Sequence, residues 1–474
     1  MPIDTRTKIL ATIGPSSATK EQIEKLMDAG ADAFRVNFSH GTYEEHQERI
    51  KIIRSLEKKK GRFVSILADL QGPKLRVGVF KDDKVLLQDG QKFVLDMKQE
   101  PGDSTRVCLP HKEIFSALKV GDELLVNDGY IVLVVKKCGK DFAETIVKVG
   151  GYVSSHKGVN LPNTKLDISA ITKKDREDLK FALENDIDWI GLSFVQKAED
   201  VQEVKKLIKG KAKVVAKLEK PSAIEDLENI VKEADAIMVA RGDLGVECPI
   251  QTVPILQKRI VKMCRLLAKP VIVATQMLES MIVNPTPTRA EVSDVATAVY
   301  DGADTVMLSA ETAAGKYPIL AVNMMHNIIT QVETDSLFFE LMNSSRRKPL
   351  NATEADAITF AASELAGVLN NVKAIISYST SGFTTFLTAK ERPALPILAL
   401  SPDVKVARQM ALVWGVRAGV NKECFQDFSQ VESCAVRYAK ETGVAKSGDH
   451  VIITAGFPLN VKGQTNMLHT VCVK

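Results

Sequence analysis

Four apolar segments of this 474-residue chain end in polar residues that could take part in chemistry. Their sequences are KLE at residues 217–219, MVARGDLG at 238–245, ATQMLES at 274–280 and MLSAET at 307–312. Each is followed by a stretch with helical periodicity, and alternating strands and helices are typical of parallel strands joined by crossovers. The polar residues therefore fall at the ends of successive strands, on the rim where a barrel enzyme carries its active site.

The strand pattern at residues 214–219 predicts a lysine and a carboxylate on one face, because side chains alternate along a strand. Lys217 and Glu219 share that face, and Asp243 follows the next predicted strand. Two carboxylates, completed by substrate oxygens and water, are a common way to hold Mg²⁺. The alternative is a pair of capping or salt-bridging carboxylates. The backbone amides of residues 242 and 243 open a helix and could hold a substrate carboxylate.

Other strand ends add polar groups to the same rim. Arg35, Asn37 and Ser39 alternate along the second predicted strand, and a guanidinium beside two oxygen-bearing side chains suits phosphate and a cation. Asp69 ends the third strand, whereas Arg241 is expected to pair with a carboxylate rather than to touch substrate. The seventh and eighth strand ends complete a ring of polar side chains with Thr275, Gln276, Ser309 and Glu311.

The elements that position these residues form an interrupted array of strands and helices. Strands are predicted at 9–13, 33–39 and 64–70, and five more at 189–194, 213–219, 236–241, 271–276 and 305–310. Eight such units predict a TIM (β/α)8 barrel. Between the third and fourth strands, short strand patterns with Gly-containing turns lie at 84–87, 123–126 and 131–136. They predict an inserted, small all-β domain that leaves from the rim and is placed to act as a lid.

A third region follows the barrel. The polar stretch at 343–349 is interpreted as a linker, followed by an amphipathic helix near 354–369 and strands at 374–377, 397–400 and 450–454. This pattern predicts an open α/β domain. The predicted boundaries are a barrel at 1–73 and 165–340, a lid at 74–164 and a C-terminal domain at 350–474.

The composition excludes several classes of function. The 63 basic and 59 acidic side chains are interspersed and give a net charge of +4, so no nucleic-acid or anionic-membrane partner is expected. The first residues lack a signal-peptide pattern, and no apolar run reaches the roughly 18 residues of a membrane span. We therefore expect a cytoplasmic protein. Phosphate-loop, dinucleotide-fingerprint and zinc-protease motifs do not occur in the sequence.

Seven motifs, in order along nearly the whole chain, resemble the pyruvate kinase family. They are at residues 35–41, 69–76, 157–162, 238–245, 274–281, 284–291 and 307–312. The resemblance implies a TIM barrel with a β-barrel lid and a C-terminal α/β regulatory domain. It also implies phosphoryl transfer from phosphoenolpyruvate to ADP in glycolysis, giving pyruvate and ATP, with Mg²⁺ or Mn²⁺ as cofactor and a homotetramer as the assembly.

The resemblance also implies roles for individual residues. Lys217 would stabilise the phosphoryl group in flight, Arg35 would contact phosphate, and Glu219 and Asp243 would bind Mg²⁺. Gly242 and Thr275 would touch the phosphoenolpyruvate carboxylate beside Asp243, and Ser309 would belong to the proton-delivery network. The monovalent-cation site would comprise Asn37, Ser39, Asp69 and the Leu70 carbonyl, and the nucleotide would contact Asn37, His40, Arg76 and Lys157.

Lys74 departs from a common pattern of the family. Many members carry a glutamate at this position and require K⁺, whereas this chain carries a lysine. An ammonium fixed there could supply the positive charge of K⁺. We therefore expect activity that does not require K⁺.

The C-terminal domain contains a candidate effector site. Residues 377–382 (SYSTSG) follow a strand and precede a predicted helix, a geometry that suits phosphate binding. The resemblance implies an allosteric site for a phosphorylated effector, with Ser379, Thr380, Ser381, Gly382 and Thr384 as the expected contacts. The alternative is an ordinary polar turn.

Two other functions fit part of the pattern. A Mg²⁺-dependent lyase or aldolase that acts through a pyruvate enolate could use the same carboxylate pair, but it would not need Arg76, Lys157 or a nucleotide-gripping lid. A non-catalytic metabolite sensor is disfavoured because none of the expected charged groups is missing.

Overall fold

The first part of the barrel is built from three strands and two helices. The computed structural model describes residues 5–162, 164, 168–344, 352–422, 425, 427–459 and 463–474. Its opening elements are β1 (Lys8–Ile13), α1 (Lys20–Ala29), β2 (Ala33–Asn37), α2 (Tyr43–Lys60) and β3 (Ser65–Asp69). Helix α2 begins with a capping box in which Thr42 and Glu45 bond each other's backbone amides, and it ends at Gly61 in the left-handed conformation.

The inserted lid follows β3. It contains β4 (Lys84–Leu87), β5 (Lys92–Asp96), β6 (Arg106–Cys108), α3 (Lys112–Ala117), β7 (Glu123–Val126), β8 (Ile131–Cys138), β9 (Phe142–Val149), β10 (Gly151–Ser154) and β11 (Val159–Asn160). Six of these strands form a half-barrel sheet in the order β11-β7-β8-β9-β5-β6, and β10 pairs with β4. The sheets enclose an apolar core of their own, so the lid can move as a unit.

The remaining barrel elements follow the lid. They are α4 (Lys173–Glu184), β12 (Trp189–Leu192), α5 (Ala198–Ile208), β13 (Lys213–Leu218), α6 (Pro221–Glu225), α7 (Leu227–Glu233), β14 (Ala236–Ala240), α8 (Arg241–Glu247), α9 (Val253–Leu266), β15 (Val271–Ala274), α10 (Arg289–Asp301), β16 (Thr305–Leu308), α11 (Ala310–Ala313), α12 (Pro318–Glu333) and α13 (Ser336–Ser344). Two 3₁₀ turns, Ile250–Thr252 and Glu279–Ile282, lie between them.

Eight parallel strands close into a barrel in the order β1-β16-β15-β14-β13-β12-β3-β2. One apolar cluster fills its interior, with Leu10, Leu67, Trp189 and Met238 among its members. A larger cluster lies between the strands and the surrounding helices. Strands that are buried on both sides read as continuous apolar runs, and this is why the polar residues at their ends are so distinct in the sequence.

The C-terminal domain is an open α/β sheet. Its elements are α14 (Glu354–Val368), β17 (Val372–Tyr378), α15 (Phe383–Lys390), β18 (Ile397–Ser401), α16 (Val404–Met410), β19 (Val416–Val420), α17 (Phe428–Glu441), β20 (His450–Ala455) and β21 (Met467–Cys472). The strand order is β19-β18-β17-β20-β21, with only β21 antiparallel to its neighbour.

The structure confirms the predicted fold class and corrects several details. The lid is not purely β, because it includes α3; strands β19 and β21 and helix α13 were not predicted. Predicted strands overran by one or two residues at their carboxyl ends, since the polar residues there have already turned out of the sheet. Most of the predicted linker at 343–349 lies outside the described residues, and its first two residues end α13. None of the described helices has the length and apolar character that a membrane crossing requires.

Candidate active site

Lys217 lies at the centre of the barrel rim. Its Nζ atom is 2.7 Å from the Ser193 hydroxyl oxygen, 3.0 Å from Glu219 Oε1 and 3.2 Å from Asp69 Oδ1. The two carboxylates are almost fully buried, and 11% of the lysine side chain is exposed. The predicted pairing of Lys217 with Glu219 on one strand face is therefore present, and Asp69 joins them from β3.

Arg35 extends this cluster towards β2. Its Nε and Nη2 atoms both lie 2.6 Å from Asp69 Oδ2, and Nη1 donates to the Thr12 hydroxyl at 3.3 Å. Asp69 is thus held between a guanidinium and an ammonium, which fixes both cations in place. The structure makes Asp69 the anchor of the two groups that carry positive charge at this rim.

Burial and charge act against each other on these groups. Burial alone raises the pKa of Asp69, but the charges of Lys217 and Arg35 outweigh it and hold that pKa below its ordinary value. Burial lowers the pKa of Lys217, but Asp69 and Glu219 outweigh it and raise the pKa above its usual value. Both groups are therefore ionised at neutral pH.

Glu219 and Asp243 form the candidate metal centre. Burial raises the pKa of Glu219, the charge of Asp243 raises it further, and Lys217 and the Phe194 amide oppose both effects. Repulsion between two neighbouring carboxylates favours the binding of a cation between them. Carboxylate oxygens are ligands that Mg²⁺ and Mn²⁺ prefer. No cluster of three or more His, Cys, Asp or Glu suited to a metal ion occurs in the described ranges. Substrate oxygens and water would complete the coordination.

The backbone around Glu219 is arranged to hold its carboxylate. The Phe194 amide donates to Glu219 Oε2 at 2.7 Å, and Phe194 adopts a left-handed φ of 55° that is uncommon for a bulky residue. The preceding Ser193 accepts from Lys217 and donates to the Leu70 carbonyl at 2.8 Å. Gly72, at φ 67°, packs so closely that an added Cβ would lie 2.9 Å from Ser193 Cβ.

Thr275 and Gly242 meet across β14 and β15. The Gly242 amide donates to the Thr275 hydroxyl at 2.8 Å, so both predicted carboxylate contacts lie together. Thr275 and Gln276 have left-handed φ values of 72° and 53°, and this conformation is strained for the β-branched Thr275. Such strain is found at sites where the surrounding structure holds side chains in a required direction.

Arg241 supports this turn and faces a carboxylate, as predicted. It forms two 2.6 Å contacts with Asp294 and donates to the Thr275 carbonyl at 2.7 Å. The buried Glu311 accepts from the amides of Ser309 and Leu278, and burial raises its pKa. Its carboxylate thereby connects the segments that follow β15 and β16.

Comparison with known proteins agrees with this architecture. The model of the family described as pyruvate kinase, barrel domain, matches residues 4–322, and that described as pyruvate kinase, alpha/beta domain, matches residues 356–471. The chain belongs to the pyruvate kinase family. A pyruvate kinase of Methylorubrum extorquens is 50% identical over 463 residues, covering 98% of this chain and 96% of that protein. One from Agrobacterium vitis is 44% identical, with coverage of 98% and 97%.

A solved structure gives the same result. The crystal structure of a pyruvate kinase from Cryptosporidium parvum superposes with a TM-score of 0.92 at 34% identity, covering 99% of this chain and 97% of that one. The chain is therefore a pyruvate kinase enzyme, a phosphotransferase of glycolysis with phosphoenolpyruvate and ADP as substrates. Pyruvate kinases generally depend on a divalent metal ion.

The residues predicted for a monovalent cation lie at the ends of β2 and β3. Asn37 Oδ1 accepts from the Ser39 amide at 3.1 Å, and the Phe38 amide donates to the Asp69 carbonyl at 3.0 Å. Lys74 lies elsewhere on the rim of this pyruvate kinase. Its Nζ is 3.6 Å from Asp243 Oδ1, and no contact in the described part of the chain joins it to Asn37 or Ser39.

The predicted nucleotide contacts are split between barrel and lid. Arg76 and Lys157 lie on adjoining lid segments: Arg76 donates to the His156 carbonyl at 2.8 Å, and the Val77 amide donates to the Lys157 carbonyl at 3.0 Å. His40 follows β2 and is exposed. A molecule gripped by both sets would bridge the cleft between the lid and the barrel of the pyruvate kinase.

The predicted effector loop has the expected strand-turn-helix geometry. It connects β17 to α15, and Gly382 caps α15 with a φ of 84° that favours glycine. Ser379 and Thr384 are buried, and the Thr384 and Thr465 hydroxyls are 2.7 Å apart. Thr380 and Ser381 are half-buried at the start of the helix.

Three residues of the site were missed in the sequence. Ser193 and Phe194 hold Lys217 and Glu219, and Thr12 contacts Arg35. Ser193 follows the apolar strand WIGL at 189–192, which is the same signal that identified the other rim residues. Thr12 lies inside an apolar strand, and only its pairing with Arg35 on the adjacent strand β2 shows what it contacts.

Proposed function

We propose that Lys217, Arg35, Glu219 and Asp243 carry out phosphoryl transfer in this pyruvate kinase. The observation that supports this most strongly is the contact of Lys217 with both Glu219 and Asp69, which places a fixed ammonium beside the candidate metal ligands. A transferring phosphoryl group needs positive charge around its equatorial oxygens and in-line positioning rather than covalent help. Lys217 and Arg35 supply this charge, and Asp69 orients both.

The remaining roles follow from position on the rim. The Gly242 amide donates to the Thr275 hydroxyl, and that hydroxyl donates to the Ala274 carbonyl. The carboxylate of phosphoenolpyruvate, bound beside Asp243, would take over both donors. Ser309 would belong to the proton-delivery network. Glu219 and Asp243 would hold Mg²⁺ or Mn²⁺, which when bound supplies Lewis-acid stabilisation of negative charge on substrate oxygens. Closure of the lid would exclude water and so suppress hydrolysis.

The nucleotide and cation sites are proposed on the same basis. Asn37, His40, Arg76 and Lys157 would bind ADP or ATP. A monovalent cation would be coordinated by Asn37, Ser39, Asp69 and the Leu70 carbonyl wherever one is required. Barrel, lid and C-terminal domain would correspond to 1–73 with 165–340, 74–164 and 350–474; the boundary residues 1, 165 and 350 lie outside the described residues.

A coupled assay with phosphoenolpyruvate and ADP, with and without Mg²⁺, tests the proposal. We expect ATP formation that stops when the divalent ion is chelated. Pyruvate formation without ATP would instead favour a lyase, and ATP formation that survives in Lys217→Met would show that this lysine does not act on the phosphoryl group.

Independence from K⁺ is a separate proposal. It is supported by the lysine at position 74, whose ammonium lies at the rim, 3.6 Å from Asp243 Oδ1. Turnover should persist in a buffer without K⁺, Na⁺ or NH₄⁺, and Lys74→Glu should create a requirement for one of them. Wild-type turnover that falls to background in this buffer would reject the proposal.

We also propose that Ser379, Thr380, Ser381, Gly382 and Thr384 bind a phosphorylated allosteric effector. Their position at the start of α15, with hydroxyls and backbone amides together, supports phosphate recognition. Titration of a sugar bisphosphate, a sugar monophosphate and AMP against substrate saturation should reveal one activator. Unchanged saturation curves with all three would reject the site.

The protein is proposed to be a cytoplasmic homotetramer. The family resemblance supports this assembly, and so does the exposure of Ile250 and Ile255 on the barrel surface, at 74% and 68%. Light scattering during gel filtration should give four times the 51.9 kDa chain mass. A monomer at micromolar concentration would contradict the assembly.

A further inference from the structure

Each of the two candidate metal ligands is engaged by a lysine. Lys217 Nζ is 3.0 Å from Glu219 Oε1, and Lys74 Nζ is 3.6 Å from Asp243 Oδ1. The first pair is buried and the second is about 30% exposed on both sides. A divalent ion that binds both carboxylates has to compete with both ammonium groups.

Lys217 is surrounded by three oxygen-bearing partners. Its ammonium donates to the Ser193 hydroxyl, which can only accept from it because that hydroxyl donates its own hydrogen to the Leu70 carbonyl. Glu219 and Asp69 are ion-paired with the same ammonium at 3.0 Å and 3.2 Å. A phosphoryl oxygen therefore competes with these two carboxylates for the ammonium.

Glu219 is the partner that a metal ion would release. Asp69 has Arg35 as a second cation and is fixed by it, whereas Glu219 is ion-paired with Lys217. A divalent ion held by Glu219 would supply the positive charge that the lysine now provides. Lys217 could then turn towards a phosphoryl oxygen of the substrate.

Lys74 connects the second ligand to the lid. It directly follows Gly72 and Pro73 in the segment that leads from β3 of the barrel into the lid, and its amide donates to the Gly72 carbonyl at 2.9 Å. Its side chain also passes the returning lid segment, where a Cβ on Gly158 would lie 3.7 Å from Lys74 Cε. The Lys74 ammonium therefore links both lid connections to α8 of the barrel through Asp243.

We propose that the ammonium groups of Lys217 and Lys74 neutralise Glu219 and Asp243 until a divalent ion binds these carboxylates and displaces both lysines. With a divalent ion held by Glu219 and Asp243, Lys217 would redirect a hydrogen bond from Glu219 to the phosphoryl oxygen, and Lys74 would leave Asp243 and so release the lid. This inference rests on the proposed metal ligands. It makes metal binding and phosphate binding mutually reinforcing, because coupling between two sites is reciprocal.

Calorimetric titration of Mn²⁺ into the full-length protein without substrates tests the exchange. Lys74→Met should tighten Mn²⁺ binding about two- to fivefold, the range expected when a partly exposed ion pair no longer competes. Lys157→Met is the matched control, since it removes the same charge from the lid without touching Asp243, and it should leave Mn²⁺ affinity nearly unchanged. Equal tightening in both variants, or none in Lys74→Met, would overturn the exchange.

Glu219→Gln separates this inference from the proposed function. Loss of Mn²⁺ binding in Glu219→Gln, together with unchanged affinity in Lys74→Met, would refute the exchange alone. Undiminished binding in Glu219→Gln would refute the metal site and the exchange with it.

Amine labelling of the wild-type protein gives a readout that is independent of affinity. Added Mn²⁺ should accelerate acylation of Lys74 severalfold relative to Lys157, as measured by peptide mass spectrometry, because release from Asp243 frees the Lys74 amine and increases its exposure. An unchanged ratio of the two labelling rates would contradict displacement of Lys74.

Discussion

Two buried aspartates at opposite ends of the barrel have pKa values shifted in opposite directions. Asp69 ends β3 on the active-site rim, and two cations, Arg35 and Lys217, hold its pKa below the ordinary value despite burial. Asp188 immediately precedes β12 at the other end, where burial raises its pKa to about 6 and the attraction of Arg54 only partly offsets this. Both cations contact Asp69 directly, whereas Asp188 contacts Arg54 and receives only a smaller contribution from the more distant Arg408.

The surroundings of the two residues explain this inequality. Arg54 contacts Asp188 at 2.7 Å but is shared with Glu57 at 2.9 Å and with the Val64 carbonyl at 2.8 Å. Asp188 also accepts from the Ile66 amide at 2.8 Å, which ties two strands together. This end has a structural role. At the rim, Asp69 instead holds in place the two cations, Arg35 and Lys217, that are proposed to meet the phosphorylated substrate.

Substitution of Lys217 at the rim should cause the largest loss of kcat, whereas substitution at the opposite end of the barrel should have little effect. Lys217→Met is expected to lower kcat by about 10³-fold or more, because charge on the transferring phosphoryl group then lacks its nearest ammonium. Lys213→Met is the control on the same strand at the other end of the barrel, beside Asp235, and should keep kcat within about twofold. Comparable losses in the two variants would show that the strand rather than the ammonium is responsible. Circular dichroism checks that both are folded.

Replacement of each aspartate by asparagine should distinguish a residue needed for activity from one that has a structural role. Asp69→Asn is expected to lower kcat/KM by about 10²-fold, because Arg35 and Lys217 lose their common anchor and their orientation. It should also cost about 3 kcal/mol of stability by leaving two buried cations undercompensated. Asp188→Asn should keep kcat/KM within about twofold. Steady-state kinetics and urea unfolding measure both effects, and a larger activity loss in Asp188→Asn would invert the assignment.

The pH dependence of stability should carry the signature of Asp188. Its pKa is higher in the folded state, about 6, than in the unfolded chain, so its contribution is fully present below about pH 4 and is lost as the pH rises to about 6. This loss amounts to about 3 kcal/mol. The Tm difference between wild type and Asp188→Asn should change by several degrees between pH 4 and pH 6.5. A constant difference would mean that Asp188 titrates normally.

The smallest expected effect on kcat comes from the Ser193 hydroxyl, which accepts from Lys217 and donates to the Leu70 carbonyl. Ser193→Ala removes one of the three acceptors of Lys217 and should lower kcat about tenfold while KM for ADP stays nearly constant. The pH profile of kcat should shift as well, whereas a merely structural role would leave it in place. Ser193→Thr keeps the hydroxyl and should restore most of the activity.

The sequence predicted the frame of this site better than its details. Lys217 and Glu219 could be paired because strand alternation is a local property, and the eight apolar strands ending in polar residues predicted the barrel. The contacts of Ser193 with Leu70, and of Lys74 with Asp243, join residues far apart in the chain, so only the closed barrel and the docked lid reveal them. Strands β19 and β21 were missed because their short sequences mix polar and apolar residues without clear alternation.

The central claim is that a divalent ion binds between Glu219 and Asp243 with the Lys217 ammonium beside it. A crystal structure with Mn²⁺ and oxalate, recorded at a wavelength where manganese scatters anomalously, tests this directly. The account predicts one anomalous peak about 2.1 Å from an oxygen of each carboxylate. A peak coordinated elsewhere, with Lys217 still bound to Glu219, would contradict it.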